Sequence, residues 1–181
     1  SCNDLTQVRD ALISAKVRGV KIRFVYDSRT PQALVNDIVA AGIPMIQRTI
    51  SSGLMHNKFF VFDYRYNTSH TNCWVWTGST NVTNAQFFDD ANNVIELQDR
   101  TLAAVYTREF EEMWGSATEI PNIPRSKFGA NKTDNTPHKL NLNGTPVESY
   151  FTPGDNGTLQ LQNLVTNNFN YDCLINIYVF T

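Results

Sequence analysis

The residue types best suited to chemistry in this sequence are a histidine and a lysine two positions apart, directly before an apolar run. His56 and Lys58 precede Phe59–Phe62, whose four apolar residues predict a strand buried on both faces. Alternate residues of a strand project to the same face, so the imidazole and the ammonium are expected to share one space. A neutral imidazole can attack phosphorus while a cation holds the phosphate oxygens. The pair therefore predicts a phosphodiester site at a sheet edge.

A second polar group follows the next predicted strand, 73–76, where Gly78 permits a tight turn. Ser79 and Asn81 come directly after this glycine, and Asn93 opens the strand after that. Ligands of open α/β sheets bind at strand ends, so these three side chains are predicted to converge on the same phosphate. Ser79 and Asn81 are also common turn residues, and only their combination with the histidine motif favours a binding role.

The order and spacing of these residues resemble the phospholipase D superfamily over about residues 5–115. The matched motifs are His56-x-Lys58-x4-Asp63, then Gly78-Ser79-x-Asn81, then Asn93. The resemblance implies His56, Lys58 and Asp63 as catalytic residues, and Ser79, Asn81 and Asn93 as substrate-binding residues. It implies no metal or cofactor, a covalent phosphohistidine at His56, and a second histidine that protonates the leaving oxygen. Strand alternation places Asp63 on the opposite face from His56, which favours a supporting role for this carboxylate.

Two features depart from the pattern of that family. The family site is normally built from two such motifs, in one chain or across a homodimer, whereas this sequence contains one. The expected partner is therefore a second H-x-K-x4-D half-site, supplied by another subunit or by a part of the protein outside this sequence. The position where many relatives carry a supporting carboxylate is Asn92, a neutral amide, and Asp89 and Asp90 are out of register.

The expected substrate is a phosphodiester, either a phospholipid headgroup or a nucleic acid. A net charge of -2 and a pI of about 5.9 argue against a broad electropositive surface, so a lipid at a membrane surface is favoured over nucleic acid. A different interpretation is a non-catalytic phosphate-binding or interaction module, whose lone motif binds phosphate without turnover. The many Asn and Thr residues favour a secreted or periplasmic location, and Ser1 is compatible with a removed leader.

The wider pattern predicts an α/β fold with a mixed, mostly parallel sheet flanked by helices on both faces. Helical spacing occurs around residues 5–15, 31–39, 102–114 and 159–165, and strands are predicted at 20–26, 43–46, 55–63, 73–76, 93–97 and 173–180. The predicted organisation is a motif-bearing part of a repeat over 1–115, a polar linker or loop over 116–146, and an opening strand–helix–strand over 147–181 that completes the same sheet.

The remaining residues of chemical interest have simpler interpretations. His70 and His138 lie in polar segments and are predicted on the surface, with His138 also a candidate for the missing acid. Trp74 and Trp76 share a strand face and are predicted in the core rather than in a lipid-binding platform. The three cysteines are predicted as core or strand residues, with one disulfide left open: Cys2, Cys73 and Cys173.

Overall fold

A computed structural model describes residues 6–66 and 71–167. The helices are α1 (Thr6–Val17), α2 (Gln32–Ala40), α3 (Asn84–Phe88), α4 (Arg100–Trp114) and α5 (Gly157–Asn167). The strands are β1 (Phe24–Tyr26), β2 (Met45–Gln47), β3 (Phe59–Phe62), β4 (Trp74–Gly78), β5 (Val94–Gln98), β6 (Lys139–Leu142) and β7 (Thr145–Glu148). Two short 3-10 helices lie at Ile123–Arg125 and Gly129–Asn131. The predicted strand at 173–180 falls outside the described residues.

The strands form three small sheets in the part of the chain that the structure describes. β1 and β2 are parallel, β3-β4-β5 are antiparallel in that order, and β6 and β7 are antiparallel. The predicted α/β class with mixed strand pairing is confirmed. The prediction that most strands are parallel does not hold for these described strands, since only β1 and β2 pair in parallel. The connections between the strands explain this difference. A parallel pair needs a crossover such as α2, whereas an antiparallel pair needs only a turn.

Helices cover both faces of strand β1. The Arg23 guanidinium lies over the ring of Phe110 in α4, 4.7 Å from its centroid. The next residue, Phe24, packs instead against the cluster that contains Leu34 and Ile38 of α2. Neighbouring residues of an extended chain project to opposite faces, so α2 and α4 lie on opposite sides of this strand. The predicted helical flanking therefore holds at β1.

Helix α4 is the central packing element and contacts strands of all three sheets. The Asp99 carboxylate caps its start by accepting from the backbone N–H of Leu102 at 2.8 Å. The helix ends at Gly115, whose φ of 78° is left-handed and where a Cβ would lie 2.1 Å from the carbonyl oxygen of Asn122. Its apolar face packs against strand β4 in the main core cluster, which contains Cys73, Val75, Leu102, Ala103, Val105, Leu140 and Phe151.

The polar segment over 116–146 contains two 3-10 helices and strand β6. Strands β6 and β7 form a hairpin around Asn143 and Gly144, which both have positive φ, as a two-residue hairpin turn requires. Leu140 of β6 is buried in the main core and joins this hairpin to helix α4. The helix predicted at 159–165 is confirmed as α5. The division into three units stays a prediction.

The outer face of the β3-β4-β5 sheet is aromatic and partly exposed. Trp76 packs edge-on against Phe60 at 5.3 Å between ring centroids, and Phe60 stacks with Phe62 at 6.0 Å. Phe62 is 49% exposed and Trp74 is 38% exposed. The prediction that β3 is buried on both faces, and that both tryptophans lie in the core, is therefore wrong at these positions. Helix α4 and the segment around Phe151 pack on the opposite face of these strands.

Cys73 is a buried free thiol in the main core, as predicted for it, whereas Cys2 and Cys173 lie outside the described residues. Among the described helices, none has the length and apolar character needed to cross a membrane.

Candidate active site

Three strand ends meet at one edge of the β3-β4-β5 sheet. Because neighbouring strands run antiparallel, the start of β3, the end of β4 and the start of β5 lie side by side. Phe59 is paired with Thr77, and Gly78 with Val94. His56 and Lys58 therefore precede the same edge that Ser79 and Asn81 follow, and Asn93 stands directly before β5. This edge is called the motif edge below, and it is defined by these five residues.

The histidine and the lysine of the motif lie next to each other on the motif edge. Nζ of Lys58 donates to the carbonyl oxygen of His56 at 2.8 Å, and the hydroxyl of Thr77 donates to the carbonyl oxygen of Lys58 at 3.0 Å. His56 is exposed and Lys58 is half-buried. The imidazole is thus accessible to a substrate, beside an ammonium held close to it.

Both groups have shifted ionisation. Partial desolvation, the Lys58 ammonium and the Arg29 guanidinium together lower the pKa of His56 below its ordinary value. Desolvation and Arg29 likewise lower the pKa of Lys58. The imidazole is therefore more fully neutral near pH 7 than an unperturbed one, which favours its use as a nucleophile.

This shift gives a pH prediction. Because the pKa of His56 is lowered from 6.5, its neutral form persists to lower pH, and the acidic limb of kcat/KM is expected to be centred below pH 6.5. Replacing Lys58 with Gln removes one of the positive charges that lower this pKa, so the limb should move to higher pH. A pH profile of both proteins with a phosphodiester substrate measures this. An acidic limb above pH 6.5 in the unsubstituted protein would contradict the assignment of this limb to His56.

Ser79 is built into the contact between β4 and β5. Its hydroxyl donates to Oδ1 of Asn92 at 2.9 Å and accepts from the backbone N–H of Asn93 at 3.0 Å. Its own N–H donates to the carbonyl of Asn93 at 3.0 Å. Gly78 is required by this close approach, since a Cβ there would lie 2.1 Å from the Asn93 carbonyl oxygen. Asn92 therefore orients Ser79, and Nδ2 of the same amide donates to the carbonyl of Gln86 at 3.2 Å.

Asn81 is held by one neighbouring amide. Its backbone N–H and its side-chain Nδ2 both donate to Oε1 of Gln86, at 2.6 and 2.7 Å. An amide nitrogen carries two N–H groups, so the second one is available to a phosphate oxygen. Gln86 lies in the short helix α3, which Thr83 caps by accepting from the backbone N–H of Gln86. Gln86 could not be recognised as a site residue from the sequence, because its role depends on the turn between β4 and α3.

The structure does not bring Asp63 to the motif edge. Asp63 follows the other end of β3, has a left-handed φ of 57°, and accepts at its carbonyl from the Cys73 thiol at 3.5 Å. The ring of His138 has its contacts elsewhere in the described part of the chain. Its ring bonds Asp134 and the carbonyl of Ser149, at 3.1 and 3.0 Å, and stacks on Tyr150. His70 lies outside the described residues.

Asp27 is a half-buried residue of the site region that sequence reasoning missed. Its carboxylate accepts from the backbone N–H of Met55 at 3.0 Å and pairs with Nε of Arg48 at 2.9 Å. Burial would raise the pKa of Asp27, but the N–H groups of Met55 and Arg29, with the nearby guanidinium groups, lower it overall. Asp27 thus fixes the backbone directly before His56. A carboxylate directly after a predicted strand was the available signal.

The chain is similar in sequence to several known proteins. The family model described as "Cardiolipin synthase, PLD-like domain" matches residues 4–114. The mitochondrial cardiolipin hydrolase of Xenopus laevis is 30% identical over 107 residues, which are 58% of this chain and 47% of that protein. A phospholipase D of Rickettsia felis is 31% identical over 105 residues, which are 57% of this chain and 48% of that protein. The chain thus spans about half the length of the curated relatives it matches.

Among solved structures, the crystal structure of the phospholipase D family member Nuc from Salmonella typhimurium is similar. It shares 28% sequence identity and a TM-score of 0.49, over 60% of this chain and 70% of that chain. The family model covers more than half of the chain, and its range includes every residue of the motif edge. The chain therefore belongs to the phospholipase D-like superfamily.

Proposed function

We propose that this chain supplies one half of the active site of a phosphodiesterase that hydrolyses or transfers phospholipid headgroups. The observation that carries the proposal is that the strand ends next to His56, Lys58 and Asn81 lie side by side at one accessible sheet edge. The pKa of the imidazole there is lowered by partial desolvation and by the neighbouring Lys58 and Arg29 cations. An imidazole nucleophile and N–H donors for the phosphate oxygens are the groups that this reaction needs.

The proposed reaction has two steps. The neutral imidazole of His56 attacks phosphorus, a P–N bond forms, and the bond from phosphorus to the leaving oxygen breaks. A second histidine gives its proton to that oxygen and then takes a proton from water or an alcohol, which attacks phosphorus and releases His56. Lys58 and Asn81 stabilise the charge that builds on the non-bridging oxygens. No step of this scheme uses a metal or a redox cofactor.

The second histidine is proposed to come from another copy of the same motif, in a second subunit or in a part of the protein outside this sequence. Two observations support a half-site. The sequence contains one H-x-K-x4-D motif, and the motif edge is open, with His56 and Ser79 both exposed. The exposed side of the edge leaves room for a diester to lie between two such halves.

Phospholipid is proposed as the substrate over nucleic acid on the basis of charge and likeness. The net charge is -2, whereas nucleases profit from neutralising many phosphates. Two of the similar proteins carry the names cardiolipin hydrolase and phospholipase D. An endonuclease, which cleaves nucleic acid, is the alternative within the same class of enzyme. A non-catalytic module that binds phosphate without turnover is the alternative of a different class, and the neutral Asn92 in place of a carboxylate favours it.

A substrate panel tests the proposal. The complete protein that contains this chain is expected to release headgroups from vesicles of cardiolipin or phosphatidylglycerol faster than it cleaves single- or double-stranded DNA at equal phosphate concentration. Bis-nitrophenyl phosphate serves as a small diester substrate that requires the enzyme to bind neither a membrane nor DNA. Faster cleavage of DNA would show that nucleic acid rather than phospholipid is the substrate. Binding of inorganic phosphate without cleavage of any of these diesters would contradict the proposed activity.

A further inference from the structure

Asn57, the residue between His56 and Lys58, contacts helix α4. Its side-chain Nδ2 donates to Oε1 of Glu109 at 3.0 Å, and the residue is half-buried. Strand alternation explains the direction, because the two neighbours of Asn57 project to the other face. The backbone that carries both reactive side chains is therefore attached to the protein interior at the point between them.

The acceptor of this bond belongs to a buried ion pair. Glu109 is 2% exposed, and the side chain of Lys132 is 4% exposed. Nζ of Lys132 lies 2.5 Å from the same Oε1 that Asn57 contacts, and it also donates to the carbonyl of Thr152 at 3.2 Å. Burial raises the pKa of Glu109, and the bonds from Lys132 and Asn57 oppose that rise. The Glu109 carboxylate is thus held by two residues, Asn57 before it and Lys132 after it in the sequence.

The energetics of such a pair favour a role in geometry. A buried ion pair contributes little net stability, because the desolvation of both charges offsets their attraction. A buried polar network with all its hydrogen bonds formed has a different effect: it favours one arrangement of the side chains over the alternatives. Two other bonds hold the same segment, from the N–H of Met55 to Asp27 and from the Thr77 hydroxyl to the carbonyl of Lys58, both at 3.0 Å. Of these three side-chain bonds, that of Asn57 lies between the two reactive residues.

We propose that Asn57, held by the Glu109–Lys132 pair, is a positioning residue that fixes the His56 imidazole relative to the Lys58 ammonium. The inference rests on the function proposed above and extends it to residues that do not touch substrate. A displacement of about 1 Å in a reacting group can lower a rate about 10²-fold. The segment after residue 115 thereby contributes to the site, because Lys132 belongs to it.

The test compares Asn57→Ala and Asn57→Asp in the complete protein, with Asn36→Ala as a matched asparagine control. Asn36 lies on helix α2, where it is exposed and accepts from Gln32. The kcat of Asn57→Ala is expected to fall about 10- to 10²-fold with an intact melting transition. Asn57→Asp keeps the size, loses the N–H donor and sets a second carboxylate beside Glu109, so its kcat should fall further.

A second readout is independent of turnover. The chain has three histidines, so NMR titration of the protein without ligand can follow the His56 ring, identified by its loss in His56→Ala. The pKa of His56 should rise towards 6.5 in Asn57→Ala, since a displaced ring loses part of its desolvation and moves relative to Lys58 and Arg29, and it should stay unchanged in Asn36→Ala. A rise in a protein that cleaves no diester would refute the proposed function and support the positioning role. A folded Asn57→Ala variant with unchanged kcat and unchanged His56 pKa would overturn it, whatever its melting temperature.

Discussion

Replacement of His56 with alanine in the complete protein is expected to lower kcat by about 10⁴-fold or more, because the group that forms the bond to phosphorus is lost. The change should leave the fold intact, since His56 is exposed and its backbone is held by neighbouring residues. The measurement is the rate of headgroup release from phospholipid vesicles, with circular dichroism to confirm the fold.

His138 offers a matched control for this substitution. Its ring bonds Asp134 and the Ser149 carbonyl, which lie outside the motif edge. His138→Gln is therefore expected to keep kcat within about threefold of the unsubstituted protein. Retained turnover in a folded His56→Ala variant would rule out His56 as the nucleophile, and an equal loss in both variants would show that the loss is not specific to the motif edge.

Replacement of Lys58 with methionine is expected to lower kcat by about 10²- to 10³-fold, the usual effect of removing one group that stabilises transition-state charge. Methionine keeps the length and most of the volume of the side chain but removes the ammonium that lies beside His56. The same variant should show a higher His56 pKa, because one of the positive charges that lower it is gone.

Lys139→Met serves as the control for the lysine substitution. Lys139 is exposed on strand β6, opposite Glu148 in the hairpin and outside the motif edge. Its kcat should stay within about twofold of the unsubstituted protein, as is usual for surface changes. If Lys58→Met loses no more activity than Lys139→Met, the ammonium does not take part in the reaction.

The motif edge could be predicted from the sequence because its geometry follows from local rules. His56 and Lys58 lie two residues apart before an apolar strand, and Ser79 and Asn81 follow the next one. Antiparallel pairing of neighbouring strands then brings these ends together without any knowledge of the rest of the fold. The position of these residues at one sheet edge thus followed from spacing and strand order, although most strands were predicted to be parallel. Their catalytic and substrate-binding roles stay predictions.

The supporting residues could not be predicted in the same way. Asp27, Gln86 and Glu109 contact the site across 28, 5 and 52 positions of sequence, and the two longer contacts exist only once distant parts of the chain have packed together. Glu109 carried no signal, since a glutamate in an amphipathic helix is normally solvated.

The Asn143-Gly144 hairpin did carry a signal, because Asn-Gly between short extended runs is typical of a two-residue turn.

The exposed aromatic face illustrates a different limit. Phe60, Phe62, Trp74 and Trp76 have the composition of a core, and composition alone cannot tell which side of a sheet a helix will cover. The structure places helix α4 on the side of Val75, which is fully buried. The same strands therefore present one packed face and one partly exposed face, and only the tertiary arrangement distinguishes them.

The most direct test of the account is to trap the covalent intermediate. The complete protein is mixed with a phosphodiester substrate, denatured in alkali within the turnover time, and analysed by mass spectrometry of its tryptic peptides. We expect a phosphorus adduct on His56, in the tryptic peptide of residues 49–58. The same adduct should form more slowly in the Lys58→Met protein, whose tryptic peptide extends from residue 49 to Arg65 because the cleavage site at residue 58 is lost. Turnover that proceeds without any adduct on His56, or with the adduct on another residue, would contradict the account.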